Sequence, residues 1–279
     1  MPKSNSLKRN PIFVFGPPVA LLSLGLSMIF QPNSFGSNQH ELILDRIKAR
    51  EESGWVVPQP ALTDYLFPRH AIDQAGHEWV LINKTRPLNP IDFAPEDLRA
   101  VKTSDSLDNP RELRLTNAAA TALEELAAEM SKAGAGKLFL NSAYRTFEFQ
   151  SQLFEEMKER SGEEAALLRA AMPGYSEHQT GLAADVSVPE QGCAVMTCFG
   201  DTVGGIWLAE NAWRFGYIVR YKEDTTAITG YIYEPWHIRF IGKPLAKLYH
   251  ENGMNTLEEL WGLPPAPNYP QLITTSTSD

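Results

Sequence analysis

The residue types best suited to hydrolytic chemistry fall in two short segments of the chain. In the first segment, His178 precedes Asp185 by seven positions, and Gly181 lies between them. An imidazole and a carboxylate are both good zinc ligands. We expect His178 to lie in a loop and Asp185 on the strand that follows. A turn at Gly181 can then point both side chains at one position.

The second segment, Glu234-Pro235-Trp236-His237, supplies a third candidate ligand in His237. Catalytic zinc keeps three protein ligands and one open position for water. Glu234 lies three residues before His237, and such positions face opposite sides of a straight strand. Because Pro235 restricts the backbone, a turn or bulge could bring the two side chains together, with Glu234 as a general base.

A cationic group is also needed if the substrate ends in a carboxylate. Arg145 follows a predicted strand, at a position where a loop can overhang a site. Arginine binds a carboxylate through two parallel hydrogen bonds, which give orientation as well as charge. Taken singly, each of these residues has an ordinary surface or core interpretation. Their combination is what indicates a hydrolytic metal site.

A sheet and surrounding helices must bring these distant segments together. Strand patterns occur at 79–82, 137–142, 182–188, 217–221 and 227–233. Helical patterns occur at 115–132, 147–160, 163–171, 203–213, 244–250 and 257–261. We expect the last two strands to pair across a polar turn at 222–225. This order predicts an α+β fold, with helices packed around a small central antiparallel sheet.

Charge and the N-terminus limit the partners and the compartment. The net charge of −9 over 279 residues argues against a nucleic-acid partner. Separately, we expect the protein to be a monomer. Three basic residues, Lys3, Lys8 and Arg9, precede an uncharged apolar run at 11–30. That pattern is typical of an export signal, which is either cleaved or kept as a membrane anchor. We expect membrane contact through this N-terminal segment only. Outside the cytosol, Cys193 and Cys198 could pair, although two free thiols remain an alternative.

The two chemical segments together resemble the signature of the LAS zinc metallopeptidases, specifically the VanY-type D-alanyl-D-alanine carboxypeptidases. That family's pattern is Ser-x-His-x-x-Gly-x-Ala-x-Asp, followed later by Glu-x-x-His. The chain matches it at Ser176, His178, Gly181, Ala183, Asp185, Glu234 and His237. Segments 142–146, 207–212 and 229–231 are also similar, so the likeness extends from about residue 79 to residue 242.

This resemblance implies roles for particular residues. It implies three zinc ligands, His178, Asp185 and His237. It implies that Glu234 is the catalytic base. It implies three substrate-binding residues, of which Arg145 holds a terminal carboxylate: Arg145, Gln150 and Ser176. The implied fold is the small α+β domain of the hedgehog and D,D-peptidase type.

The implied activity is zinc-dependent hydrolysis of the C-terminal residue of peptidoglycan stem peptides. An L,D-carboxypeptidase or an endopeptidase of the same family would use the same metal chemistry and remains an alternative. A non-catalytic zinc domain that binds cell wall or a partner is a second one. The expected organisation has four parts: 1–36 as signal peptide or anchor, 37–75 as spacer, 76–262 as zinc peptidase domain and 263–279 as mobile tail.

Overall fold

The computed structural model describes residues 68–270. The predicted export segment, most of the predicted spacer and the end of the predicted tail lie outside the described residues. Within the described part of the chain, no helix is both long enough and apolar enough to cross a membrane.

A five-stranded sheet lies at the centre of the domain. The strands of the structure are β1 (Leu98–Ala100), β2 (Leu107–Asp108), β3 (Arg114–Thr116), β4 (Leu138–Ser142), β5 (Ala183–Ser187), β6 (Tyr217–Tyr221) and β7 (Glu234–Phe240). The central sheet has the order β2-β4-β5-β7-β6, whereas β1 and β3 form a separate antiparallel pair. All neighbours in the central sheet are antiparallel except β2 and β4. The predicted α+β fold with a small, mainly antiparallel sheet is therefore confirmed.

Helices surround this sheet. They are α1 (Asn117–Lys132), α2 (Phe147–Ser161), α3 (Glu163–Leu167), α4 (Val203–Asn211), α5 (Thr226–Thr229), α6 (Lys243–Glu251) and α7 (Leu257–Leu260). α1 begins where the Thr116 hydroxyl accepts a hydrogen bond from the Ala119 amide. Its buried side chains recur at helical spacing, which is why the sequence pattern locates this helix within two residues.

The two faces of the sheet differ in chemistry. One face packs against α1 in the main apolar core, through residues such as Leu140, Val186 and Ile238. Because successive strand residues point to opposite faces, Asp185 and His237 lie on the other face. The alternation therefore keeps the candidate chemistry apart from the core.

The predicted strand at 79–82 is wrong. All four residues are buried, but they do not pair in a sheet. Val80 and Ile82 belong to the main core, whereas Trp79 and Leu81 pack in a second apolar cluster with α6 and α7. The segment is apolar because it lies between two apolar clusters and is buried on both sides. A buried strand has the same apolar composition, so the sequence pattern does not distinguish the two.

The predicted strand at 227–233 is wrong as well. Its first part is the short helix α5, which ends at Gly230 with a φ of 80°. The antiparallel partner of β6 is β7, which begins directly after the predicted strand. The hairpin therefore exists, but its connection is longer than the four-residue turn expected from the sequence.

Residues on either side of 76–262 also make packing contacts in the described part of the chain. Ala71 and Ile72, in the predicted spacer, are buried against the second cluster. In the predicted tail, the Ala266 amide donates to the Ile228 carbonyl at 2.7 Å, and the Tyr269 hydroxyl accepts from a backbone amide. These backbone contacts hold an otherwise loop-like, proline-rich segment in place. Cys193 and Cys198 form a disulfide, which settles the two alternatives for these cysteines.

Helix α4 depends on a close backbone approach at Gly205. A methyl group at this position would lie 1.9 Å from the carbonyl oxygen of Phe199, an atom that cannot rotate away. We expect Gly205→Ala to lower the free energy of unfolding by about 1–3 kcal/mol or more, measured by denaturant titration. Gly76→Ala is the control, because its methyl group would meet Phe93 at an ordinary 3.6 Å. Equal stability of the two variants would contradict the predicted clash.

Candidate metal centre

Three buried side chains meet on the polar face of the sheet: His178, Asp185 and His237. Their ligand atoms all lie within 4.8 Å of one another. Asp185 of β5 pairs directly with His237 of β7, and facing residues of antiparallel strands share a side of the sheet. His178 lies on the short 3₁₀-helix Glu177–Thr180, which Gly181 ends with a φ of 67°. That left-handed turn leads the chain straight into β5, as the sequence predicts.

Hydrogen bonds determine which imidazole nitrogens face the centre. His178 Nδ1 lies 2.7 Å from the Ala143 carbonyl oxygen, and its Nε2 lies 3.3 Å from Asp185 Oδ2. His237 is turned the other way, with Nε2 3.4 Å from Glu177 Oε2 and Nδ1 3.3 Å from Asp185 Oδ1. Because the Ala143 carbonyl can only accept, Nδ1 of His178 carries a proton and Nε2 can offer a lone pair.

The residues of this cluster fit a zinc ion. Asp185 Oδ1 is buried and accepts no well-aligned hydrogen bond from residues 68–270, although His237 Nδ1 lies 3.3 Å away. A buried carboxylate oxygen without a hydrogen bond is costly, and a divalent cation would satisfy it. Two imidazoles and one carboxylate are also a donor set found in catalytic zinc sites. The unpaired oxygen and the donor set therefore point to the same kind of metal.

Glu234 lies beside the cluster, with its Oε2 3.7 Å from His237 Nδ1. The register between β6 and β7 shifts between the pairs Val219–Ile238 and Tyr221–Glu234. An irregularity of this kind lets Glu234 and His237, three residues apart, converge on one side of the strand. Burial raises the pKa of Glu234 to about 8, so its carboxyl group can exchange a proton near neutral pH.

The three candidate ligands differ in pKa, because burial and neighbouring charges act on each of them to a different extent. Burial, together with the nearby Arg145, lowers the pKa of His178 to about 4, which favours the neutral form that binds metal. Burial acts on His237 in the same direction, but contacts with Asp185 and Glu177 outweigh it and raise the pKa of His237 to about 9. Burial acts to raise the pKa of Asp185, but contacts with His178, His237 and Arg145 outweigh it and hold the pKa well below its usual range.

Arg145 reaches the same centre from the loop after β4. Its Nη2 donates to Asp185 Oδ2 at 2.7 Å, its Nε to Ser142 Oγ at 2.9 Å and its Nη1 to Gln150 Oε1 at 3.3 Å. Gln150 is fully buried behind Arg145 and donates in turn to the Ala171 carbonyl. Of the three predicted substrate-side residues, Arg145 and Ser176 line the central cavity, and Gln150 is not among the lining residues.

A cavity of about 290 Å³ opens over the cluster. Its lining includes polar groups, namely the three candidate ligands, Arg145 and Glu234. It also includes apolar side chains: Leu153, Met157, Val195, Ile232 and Trp236. A cavity with a few polar groups among apolar ones suits a short peptide terminus better than an extended charged polymer.

The residues that support the ligands from behind were not predicted from the sequence. Glu177 accepts hydrogen bonds from Arg220 and Arg239, and all three side chains are buried. A signal was present for Arg220, which interrupts an otherwise apolar and aromatic strand. Arg239 also follows His237 by two residues, so both point to the same face of β7.

Residues 112–243 match the family model described as VanY, D-alanyl-D-alanine carboxypeptidase. The chain is 38% identical over 180 residues to the putative carboxypeptidase YodJ of Bacillus subtilis. That similarity covers 64% of this chain and 65% of the relative, which is just under two thirds of the relative's length.

Two solved structures are similar over most of the described domain. The LD-carboxypeptidase LdcB, whose structure concerns peptidoglycan recognition, is 35% identical with a TM-score of 0.62, covering 67% of this chain and 87% of that one. A mutant of the vancomycin resistance D,D-pentapeptidase VanY in complex with Zn(II) is 29% identical with a TM-score of 0.53, covering 65% and 97%.

The geometry predicts that replacing a candidate ligand removes most of the affinity for zinc. We expect His237→Ala to weaken zinc binding by more than the ~10²-fold typical of losing a supporting partner. Isothermal titration of chelator-treated protein measures the dissociation constant. His250→Ala is the control, because His250 stacks on Trp213 at 4.4 Å and is not part of the cluster. Similar zinc affinity in the two variants would exclude His237 as a ligand.

Proposed function

Because the chain belongs to the VanY-type D-alanyl-D-alanine carboxypeptidase family, we propose that it is a zinc-dependent carboxypeptidase acting on peptidoglycan stem peptides. One observation carries the proposal: the buried carboxylate of Glu234 lies 3.7 Å from His237, beside the three-residue metal cluster and in the same cavity. A purely structural metal site does not need a proton acceptor at its edge. The pairing of metal cluster and acid therefore supports catalysis.

In this proposal, zinc is bound by His178, Asp185 and His237. When bound, the ion supplies a Lewis acid that polarises a carbonyl group and makes water more acidic. Glu234 takes a proton from the attacking water and returns it to the amine that leaves. Glu234 lines the same cavity as the three candidate ligands, so water and a leaving amine held there would lie within its reach.

Arg145 binds the terminal carboxylate of the substrate in this proposal. Its three hydrogen bonds to residues 68–270 use three of the five N–H donors of a guanidinium, so two remain for a ligand within this part of the chain. Gln150 acts behind it, because its Oε1 accepts from Arg145 and fixes the guanidinium plane. Ser176 lines the cavity and contributes a hydroxyl group to the substrate side. A cation reserved for a free C-terminus favours an exopeptidase over an endopeptidase.

The proposed place of action is outside the cytoplasmic membrane. The Cys193–Cys198 disulfide supports this location, since disulfides persist in oxidising compartments. The basic residues and apolar run of the N-terminus support it independently, although they lie outside the described residues. Peptidoglycan is assembled in that same compartment.

An L,D-carboxypeptidase that acts on a tetrapeptide stem is the second candidate. The similarity to the LD-carboxypeptidase LdcB favours it, whereas the similarity to the D,D-pentapeptidase VanY favours the first candidate. The metal chemistry is the same in both. The shape of the cavity, to which the apolar side chains of Leu153, Met157 and Val195 contribute, decides which terminal residue fits.

Digestion of defined stem peptides tests the proposal. We expect the zinc-loaded chain to release the terminal D-alanine of a pentapeptide, with loss of activity in chelator and recovery on adding zinc; mass spectrometry identifies the products. Cleavage of the tetrapeptide alone would assign L,D-specificity. Cleavage of a peptide with an amidated C-terminus would contradict the role of Arg145. A zinc-loaded chain that cleaves none of these peptides would be a non-catalytic domain.

Glu234→Gln tests the proposed base. Since the amide cannot accept the proton, we expect turnover to fall by ~10² or more while the zinc dissociation constant changes little. Steady-state kinetics and a zinc titration measure the two quantities on the same preparation. Glu210→Gln makes the same chemical change on the exposed side of α4 and should keep full turnover. Near-normal turnover in Glu234→Gln would require another base.

A further inference from the structure

The buried carboxylate of Glu177 lies directly behind His237. Its two oxygens have different partners. Oε2 lies 3.4 Å from His237 Nε2, whereas Oε1 accepts from Arg220 Nε at 2.8 Å and from Arg239 Nη1 at 2.9 Å. One oxygen therefore faces a candidate metal ligand, and the other is held by two cations.

Both arginines are fixed by further contacts. Arg239 Nη2 donates to the backbone carbonyls of Glu78 at 3.1 Å and Val80 at 2.7 Å. Arg220 makes two hydrogen bonds to Glu258 of α7, at 2.9 and 2.8 Å. Bidentate pairing of this kind restricts the orientation of a guanidinium as well as its position. The carboxylate of Glu177 is thus held in a rigid frame built from distant parts of the chain.

The frame is balanced in charge. It contains two carboxylates, Glu177 and Glu258, and two guanidiniums, Arg220 and Arg239, and all four side chains are almost fully buried. Opposite charges that satisfy one another can be kept away from water. Arg220 and Arg239 therefore allow an ionised carboxylate to lie beside His237 in the interior of the protein.

We infer that Glu177 is a positioning residue for the metal centre. A carboxylate can only accept, so its contact with His237 requires the proton to be on Nε2. In the neutral imidazole the lone pair then lies on Nδ1, the atom that faces Asp185 at 3.3 Å. Glu177 thereby selects the tautomer and the ring orientation that His237 needs as a ligand. This inference rests on the proposed zinc-binding role of His237.

A purely architectural role for Glu177 gives a different expectation. If the carboxylate only joined Arg220 to Arg239, its loss would reduce stability without changing metal binding. Glu258 provides the comparison, because it belongs to the same network and pairs with Arg220 but has no contact with a candidate ligand in the described chain. The two glutamates can therefore be compared by the same substitution.

The experiment measures zinc affinity in the full chain carrying Glu177→Gln or Glu258→Gln. We expect the zinc dissociation constant to rise about 10- to 100-fold in Glu177→Gln and to stay within a few-fold of wild type in Glu258→Gln. Thermal unfolding of the metal-free proteins records the stability of both variants. The visible spectrum of the cobalt-loaded protein, which responds to ligand geometry, should change in Glu177→Gln alone.

Glu177→Asp covers the case in which the glutamine variant does not fold. Aspartate keeps the negative charge for Arg220 and Arg239 but is shorter by one methylene, so it withdraws from His237, and zinc affinity should again fall. Folded Glu177 variants with wild-type zinc affinity, or an equal loss in Glu258→Gln, would overturn the inference alone. A wild-type chain that binds no zinc would overturn the proposed function and this inference with it.

Discussion

The site depends above all on the antiparallel register of β5 and β7. Pairing of Asp185 with His237 places both side chains on one face, while Val186 and Ile238 enter the core on the other. A slip of one residue would exchange the two faces, burying His237 against α1 and turning apolar side chains toward the cavity. Core packing and the geometry of the metal cluster are thus consequences of the same strand pairing.

The polar face of the sheet is itself buried, and this imposes a second constraint. Its charges must be matched, because an uncompensated ion in the interior is strongly unfavourable. Backbone carbonyls of the segment at 78–83 accept hydrogen bonds from Arg239. Glu258 of helix α7 pairs with Arg220. Parts of the chain that are distant in sequence from the candidate site therefore help to hold it in place.

The cluster also contains features that are unfavourable for stability and useful for chemistry. Asp185 Oδ1 is buried without a hydrogen bond from the described chain, and burial raises the pKa of Glu234. Such features concentrate at functional sites, where the surrounding structure keeps groups in states they would not adopt in water. A metal ion would satisfy the buried oxygen of Asp185. The carboxyl group of Glu234 would take part in proton exchange with the substrate.

Much of this domain was predictable because its signals are local. Helical spacing located α1, and residue type and spacing identified side chains that meet in space, His178, Asp185, His237 and Glu234. Local signals could not separate a buried strand from the sandwiched segment at 79–82. They also could not show that Glu177 meets Arg220 and Arg239, which lie 43 and 62 residues away. Those contacts were decided by tertiary structure, because the partners become neighbours only when the strands pair and the chain closes around their polar face.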